Sequence, residues 1–383
     1  MLKKLRLKNF TVFASAELSF CAGLNVIVGQ NGTGKTHLLK AGYLMNRAWS
    51  DLMFRPVALN RKRAEAYFEE RLLGLFQPVS LDHLIRRGSR GGSHVEADID
   101  AFIPTLSFVT EAERAEKLAQ FPFGSMTENL HWRVEIKSAK DLTLTETNVP
   151  LNASAVPDTA AVNAYVPKSL FIPSKEIVSM YEGLIALLER YEIKLDATYG
   201  DLARSINSPE LTRVPALLSG VMAELESELG GKMTLDAGRL TFVGSDGSRT
   251  EGPLMAEGFR KLATLMYLIR RGALAEKGET LFWDEPETNL NPAYIRWVAR
   301  ALMWLATAGL QVILATHNLF LLREFEILAQ QAGAKGPSQR YFALMPGKKG
   351  VTVSTGDSIE AVNPLVLLDE DLAQSDRFMG TLK

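Results

Sequence analysis

The sequence predicts an α/β fold with a mainly parallel core sheet, an antiparallel β layer and a short helical arm. Three observations predict it. Segments reading helix, strand, helix, strand succeed one another from Gly258 to Ala315, the order that wraps helices around a parallel sheet. A glycine-rich run from Gly29 to Thr36 stands between a strand-like and a helix-like segment. Alternation of period two recurs at the amino end and again between 94 and 147, as in strands with one covered face.

Each element follows in order. Leu5 and Leu7 alternate with Lys4, Arg6 and Lys8, and Leu18 with Phe20 repeats the pattern before the Ala22-Gly23 turn and a strand at Asn25 to Val28. A helix begins at Gly34, and Arg61 to Phe76 forms another, rich in Arg, Glu and Ala. HVEADIDAFI and HWRVEIKSAKDLTLTE supply the antiparallel layer, and the small polar residues of Asn148 to Ala164 make a loop. Ser169 to Ile172 is a short strand; Glu176 to Tyr191 and Leu211 to Leu229 are helical, the latter closed by Gly230-Gly231. Met233 to Val243 is a hairpin. From Gly258 to Arg271, Phe259, Leu262, Ala263, Met266 and Ile269 share one helix face. Strand Thr280 to Trp283, helix Ala293 to Ala306, strand Gln311 to Ala315 and a shorter tail complete the chain.

Composition bounds the function. A chain of 383 residues, 46% apolar and 23% charged, has ample core. Its net charge of −1 excludes a globally basic nucleic-acid binder but leaves local patches open. With Cys21 alone, no intrachain disulfide or multi-thiolate zinc site can form, which suits a reducing cytoplasm. The start is no export leader, and the most apolar stretch, Ala301 to Ala315, is too short to span a bilayer. A cytoplasmic protein without a membrane segment is expected.

Gly29-Gln-Asn-Gly-Thr-Gly-Lys-Thr36 is G-x-x-x-x-G-K-T between strand and helix, the context that makes this a phosphate loop. Gly29, Asn31, Gly32, Thr33 and Gly34 let successive N–H groups turn inward on a β-phosphate, and the helix N-terminus adds its positive end. Lys35 supplies charge to the outer phosphates and Thr36 a hydroxyl to Mg²⁺. The spacing is not the G-x-G-x-x-G of dinucleotide loops. Thr280-Leu-Phe-Trp-Asp284-Glu285 is an apolar strand ending in two acids. Buried carboxylates need a cation or a proton to handle, and neighbouring strand residues point opposite ways. Asp284 is therefore expected on Mg²⁺ and Glu285 as general base. ATP and Mg²⁺ are the expected cofactors.

These residues resemble a family. Asp284-Glu-Pro-Glu-Thr-Asn-Leu-Asn-Pro292 resembles the Walker B and D-loop run of ABC-type ATPases, and Ala315-Thr-His317-Asn their switch-histidine strand end. The opening L-x-L-x-N-F and the N-G-T-G-K-T loop are similar to the RecF, SMC and OLD-type branch rather than to transporter subunits. The resemblance covers residues 1–45 and 250–318, the middle only loosely. It implies an ABC-ATPase head of the P-loop NTPase fold in which Glu285 and His317 are catalytic. Met255-Ala-Glu257-Gly258-Phe-Arg-Lys261 then takes the place of the signature helix, which in such enzymes touches the nucleotide of the opposite subunit. Ala256 stands where the family usually has serine, so that contact falls to backbone N–H groups, the helix dipole, Arg260 or Lys261. Asn289 stands where the family often has aspartate. The Q-loop is either Phe171 to Glu176 or Gln77.

The resemblance implies a homodimer closed by two sandwiched ATP molecules, working as a conformational switch in DNA repair, genome maintenance or phage defence with a separately encoded effector. A transporter subunit and a non-hydrolysing nucleotide scaffold are the rival readings. Lys35 and Asp284 are 249 positions apart, too few for long coiled-coil arms; helices at 176–191 and 211–229 would reach roughly 30 Å. The 66 residues after His317 are too few for a Toprim nuclease, and Asp369-Glu-Asp371 reads as a solvated helix start. Basic clusters lie at Arg61-Lys-Arg63, Arg86-Arg87 with Arg90, and Arg270-Arg271; the flexible stretch from Arg86 to Gly92 is the best placed to touch polynucleotide phosphates. The expected division is an N-terminal lobe 1–175, a helical subdomain 176–232 and a C-terminal lobe 233–383.

Overall fold

The computed structural model describes residues 1–53, 59–102, 127–149, 151, 168–181, 183–191, 195–236, 238–362 and 366–381. Most of the loop expected at 148–164 lies outside the described residues. In chain order the elements are β1 (Leu2–Phe10), β2 (Phe13–Ser19), β3 (Leu24–Gly29), α1 (Lys35–Met53), α2 (Arg61–Phe76), β4 (Ser93–Phe102), β5 (Thr127–Ser138), β6 (Asp141–Thr147) and β7 (Ser169–Ile172). There follow α3 (Leu184–Arg190), α4 (Ala197–Ile206), α5 (Ser219–Leu229), β8 (Gly231–Asp236), β9 (Arg239–Gly244), β10 (Arg249–Glu251) and α6 (Glu257–Arg270). The rest are β11 (Thr280–Asp284), α7 (Pro292–Thr307), β12 (Gln311–Thr316), α8 (Leu319–Ala332), β13 (Gln339–Gly347), β14 (Gly350–Gly356) and α9 (Val366–Thr381).

Two compact units form, Met1–Phe20 with Lys40–Ser169, and Cys21–Leu39 with Leu170–Lys383. The first holds an antiparallel sheet of order β2-β1-β4-β5-β6. Its register sets Leu5 beside Ala97 and Ala97 beside Trp132, all buried. Helix α2, capped by the Asn60 side chain accepting from the Arg63 N–H, covers that face with Phe68 edge-on to Trp132, ring centres 5.5 Å apart. The opposite face carries charge: Arg6 pairs with Glu96 and Asp98, Arg133 with Glu146, and His131 with Asp98. Such part-exposed pairs add little energy but penalise a one-residue slip, which would bury them.

The second unit holds a six-stranded sheet of order β14-β13-β3-β12-β11-β7 and a small antiparallel sheet β10-β9-β8. Strands β13, β3, β12 and β11 run parallel, as expected of an α/β P-loop fold. Asn25, fully buried, accepts from the Cys21 N–H and donates to the carbonyls of Cys21, Gly23 and Val312. That polar staple fixes where β3 begins, so the loop after Gly29 starts from a defined point.

Two segments differ in detail from the sequence reading. Over 176–191 a 3₁₀ turn at Val178–Met180 gives way to Gly183 at φ 81°, and α3 begins only after it, because a left-handed residue cannot continue a right-handed helix. Over 211–229 the helix starts at Ser219, behind Pro215 and a 3₁₀ turn. Helix α4, which the sequence reading passed over, is capped by Asp196 accepting from the Thr198 N–H at 2.9 Å. Leu202 and Ile206 of α4 and Leu225 of α5 are buried in the core of this unit.

Candidate functional site

Parallel pairing brings three strand ends together. Val28 lies opposite Thr316, and Ala315 opposite Asp284, so the Gly29 loop, the acid pair and His317 emerge at the carboxyl edge, where open α/β sheets bind ligands.

The loop is built to curl. Gly32 and Gly34 hold φ of 81° and 86°, left-handed values that glycine adopts without strain. A Cβ on Gly29 would lie 2.9 Å from the Leu344 carbonyl oxygen and 2.7 Å from Thr33 Oγ1. Thr33 is buried and its hydroxyl donates to the Gln30 carbonyl at 2.8 Å, an internal strut; Asn31 stands exposed at the tip. Lys35 is buried and its ammonium donates to the carbonyls of Gly29 and Gln30 at 2.7 and 3.1 Å, spanning the loop. Burial lowers its pKa, against the pull of Glu285, Asp284 and Glu287. The Leu38 N–H donates to the Gly34 carbonyl, which starts α1 at the loop.

Thr36 Oγ1 donates to Asp284 Oδ2 at 2.8 Å. One hydroxyl and one carboxylate side by side are hard oxygen donors, and Mg²⁺ takes one or two such protein ligands, filling the rest with water and phosphate. The pair fits that ion. Glu285 leaves the strand at φ 46° while its N–H still donates to the Ala315 carbonyl. Opposite aim of the two acids therefore comes from a backbone reversal as well as from strand alternation. Glu285 Oε1 lies 3.0 Å from His317 Nδ1, and Oε2 accepts from the Thr288 hydroxyl at 3.3 Å.

Helix α6 begins beside this turn. Its N-cap, Ala256, makes no side-chain bond, leaving the first N–H groups without the cap that serine would give. Gly258 is buried; a Cβ there would lie 2.3 Å from Leu290 Cδ2. Asn289, exposed at φ 62°, donates from Nδ2 to both Glu257 carboxylate oxygens at 2.9 Å. Arg260 and Lys261 turn inward. Arg260 pairs with Glu176 at 2.7 Å, with both side chains about nine-tenths buried, and donates to the carbonyls of Gly252, Pro253 and Met255. Lys261 donates to the Thr288 carbonyl at 2.7 Å. The phosphate contact entertained for these two cations is thus replaced by bonds within the subunit. Of the two Q-loop candidates, the segment ending at Glu176 lies in the same unit as the site, whereas Gln77 is the exposed, left-handed C-cap of α2 in the first unit.

Sequence reasoning missed Glu287 and Thr316. Glu287 is buried at 4% exposure and accepts from the Thr316 hydroxyl at 2.5 Å and from the His317 N–H at 3.4 Å. A third acid directly after Glu285-Pro286, in a turn flanked by apolar strand, was the available signal.

Loop, hydroxyl–carboxylate pair and acid–imidazole pair on one sheet edge form a site suited to a nucleoside triphosphate and a metal ion. Comparison with known proteins agrees. Residues 174–323 match the family described as "AAA domain, putative AbiEii toxin, Type IV TA system", and residues 4–41 an "AAA domain" family. The chain is 30% identical over 101 residues to the DNA double-strand break repair Rad50 ATPase of Thermoplasma volcanium, covering 26% of this chain and 11% of that protein. It is 46% identical over 44 residues to the DNA replication and repair protein RecF of Streptococcus gordonii, covering 12% of each. The matched segments are thus a small part of either relative's length. Among solved structures, the SMC head bound to the C-winged helix domain of ScpA superposes with TM-score 0.51 at 13% identity, covering 94% of this chain and 98% of that one. The SMC head with an extended coiled coil from Pyrococcus furiosus gives 0.51 at 12% identity, covering 99% of both. The chain thus has the fold of an SMC head, and parts of it are similar to the AAA-domain families and to segments of Rad50 and RecF.

Proposed function

We propose that this chain binds ATP with Mg²⁺ on the Gly29–Thr36 loop and hydrolyses it while two copies close face to face. The observation that carries the reading is the convergence of two pairs on one loop: Thr36 with Asp284, and Glu285 with His317. Gly29, Asn31, Gly32, Thr33 and Gly34 cradle the phosphates, Lys35 neutralises them, and Thr36 with Asp284 holds the metal. Bound Mg²⁺ would neutralise the charge developing on the transferred phosphoryl group. Glu285 orients the attacking water and takes its proton, and His317, 3.0 Å away, steadies that carboxylate. The signature residues Glu257 and Gly258, with the exposed Asn289, face the nucleotide of the second copy. Leu254, 77% exposed just ahead of that helix, is an apolar surface suited to the same seam.

In this reading the output is a switch: nucleotide closes the pair and hydrolysis opens it. The names of the relatives favour DNA repair or maintenance as its setting, which we place in the cytoplasm, and the toxin–antitoxin wording of the matched family is the ground for the second reading, phage defence with a separate effector. Polynucleotide contact fits one end of the first unit's sheet. There the register sets Lys8 against His94, and Ser93 against Ile136, so the loop of Arg86, Arg87 and Arg90 stands near Lys8 and the Lys137–Lys140 hairpin. No helix among the described residues is long and apolar enough to cross a membrane. The test is phosphate release with light scattering. Wild type should turn over, and Glu285→Gln should bind ATP, lose turnover and double its mass. Lys35→Ala should stay monomeric. Equal, negligible turnover in wild type and Glu285→Gln would mean a scaffold instead, and persistent monomer under ATP would remove the dimer.

A further inference from the structure

Beyond Glu285, the turn from Pro286 to Leu290 is tied to neighbouring elements by three sets of hydrogen bonds among the described residues. The Lys261 ammonium donates to the Thr288 carbonyl, and Asn289 donates to Glu257, so two ties run to the signature helix. The third runs the other way. Glu287 Oε1 accepts the Thr316 hydroxyl at 2.5 Å and the His317 N–H at 3.4 Å, which joins the turn to the end of β12. Thr316 Oγ1 accepts in turn from the Asn318 N–H at 3.0 Å, so the same chain of bonds reaches the N-cap of α8. Both Glu287 and Thr316 are buried, and their bond is held out of water.

We infer that Glu287 is a positioning residue that transmits displacement of the Asn289 turn to the switch histidine, so that a seam engaged at Asn289 sets the Glu285–His317 geometry. This rests on the ATPase reading above and deepens it. The geometry gives the route. Asn289 is exposed and two residues from Glu287, while the Leu290 N–H donates to the Glu287 carbonyl at 3.0 Å, closing a tight turn that moves as one body. Any shift of that body pulls on the His317 backbone through a carboxylate oxygen, and a shift of the order of 1 Å is enough to spoil a reacting geometry. Glu287 touches no reacting atom in this scheme; it acts through His317.

The second oxygen sharpens the argument. Glu287 Oε2 is buried and has no hydrogen-bond partner among the described residues. A charged carboxylate left so would be costly, and burial indeed pushes this carboxyl above the ordinary glutamate range. A neutral group that still accepts through one oxygen meets the structural requirement. Glutamine is such a group, whereas alanine is not.

The experiment compares steady-state turnover, ATP affinity and pairing of Glu287→Gln, Glu287→Ala, Thr316→Val and the Glu287→Ala/Thr316→Val double variant. Expected for Glu287→Ala is a fall in kcat of roughly tenfold or more with KM for ATP within about threefold, since the phosphate loop is untouched. Glu287→Gln should keep kcat within about threefold of wild type, and the double variant should be no worse than the more impaired single, as for two ends of one link. Unchanged kcat in Glu287→Ala, or additive losses in the double variant, would overturn the inference while leaving the ATPase reading intact. Equal loss of ATP binding and melting temperature in Glu287→Ala and Glu287→Gln would also overturn it, because the residue would then be a structural prop. A wild type that releases no phosphate would sink both readings together.

Discussion

Arg260→Leu offers a sharp test of how helix α6 is held. Its guanidinium pairs with Glu176 at 2.7 Å and also donates to three carbonyls of the 252–255 turn. Side-chain exposures of 11% and 9% put this pair inside the protein, where screening is weak. Removing one partner leaves Glu176 buried and unpaired, a loss of about 3–5 kcal/mol. The chain has two compact units, so a single global unfolding free energy is a poor readout. Amide hydrogen exchange along α6, from Leu262 to Ile269, reports the second unit directly. A loss of about 3 kcal/mol should speed exchange there roughly 10²-fold. The Arg260→Met/Glu176→Gln pair should recover most of it, since a neutral pair of similar volume removes the stranded charge. Exchange changed by less than about fivefold in Arg260→Leu would refute the reasoning, because a loss of at most about 1 kcal/mol is what an exposed pair gives.

Other outcomes follow from the same geometry. Gly29→Ala forces a Cβ within 2.9 Å of the Leu344 carbonyl oxygen, a backbone atom that cannot step aside, so calorimetry should find ATP affinity down at least about tenfold. Gly32→Ala meets open space but keeps φ at 81°; its cost should be strain of about 1–2 kcal/mol in the loop, seen as a smaller drop. Chelating magnesium should weaken ATP binding to wild type far more than to Asp284→Asn, whose neutral amide lessens the repulsion that the ion relieves. Glu287, raised by burial against its Thr316 bond and the charges of His317, Lys35 and Lys261, binds its proton more tightly folded than unfolded. Its stabilising share is therefore full below the unfolded value near 4.3 and is lost as pH rises through the higher folded one. The urea transition of the second unit, followed against pH, should show that decline in wild type and a flatter profile in Glu287→Gln.

The parts of the fold written in local pattern were legible. Arg61 to Phe76 is helical over the expected residues, and β11 and β12 fall where apolar runs place them. The phosphate loop was legible because its glycines fill positions that other residues cannot. Less legible was whatever depended on partners distant in sequence. Arg260 looks on paper like a cation ready for phosphate; only the fold brings Glu176 to it, 84 positions away. Glu287 looks like one acid among three, and its burial follows from β12 ending beside it. Helix α4 begins at Asp196, but its short amphipathic run carried too little periodicity to stand out beside neighbouring loops.

Charge at the sheet edge bears on the cost of burying these hidden residues. Lys35 and Lys261 are buried cations that donate to backbone carbonyls, and burial lowers the pKa of both. Asp284, Glu285 and Glu287 crowd the same edge. Were all three acids ionised, an incoming triphosphate would meet net repulsion that two ammonium groups could not offset. Holding Glu287 toward its neutral form removes one of those charges without removing its bond to Thr316, and a metal ion held by Thr36 and Asp284 would remove more. What remains is one carboxylate, Glu285, aimed away from the strand by its own backbone reversal and steadied at 3.0 Å by His317.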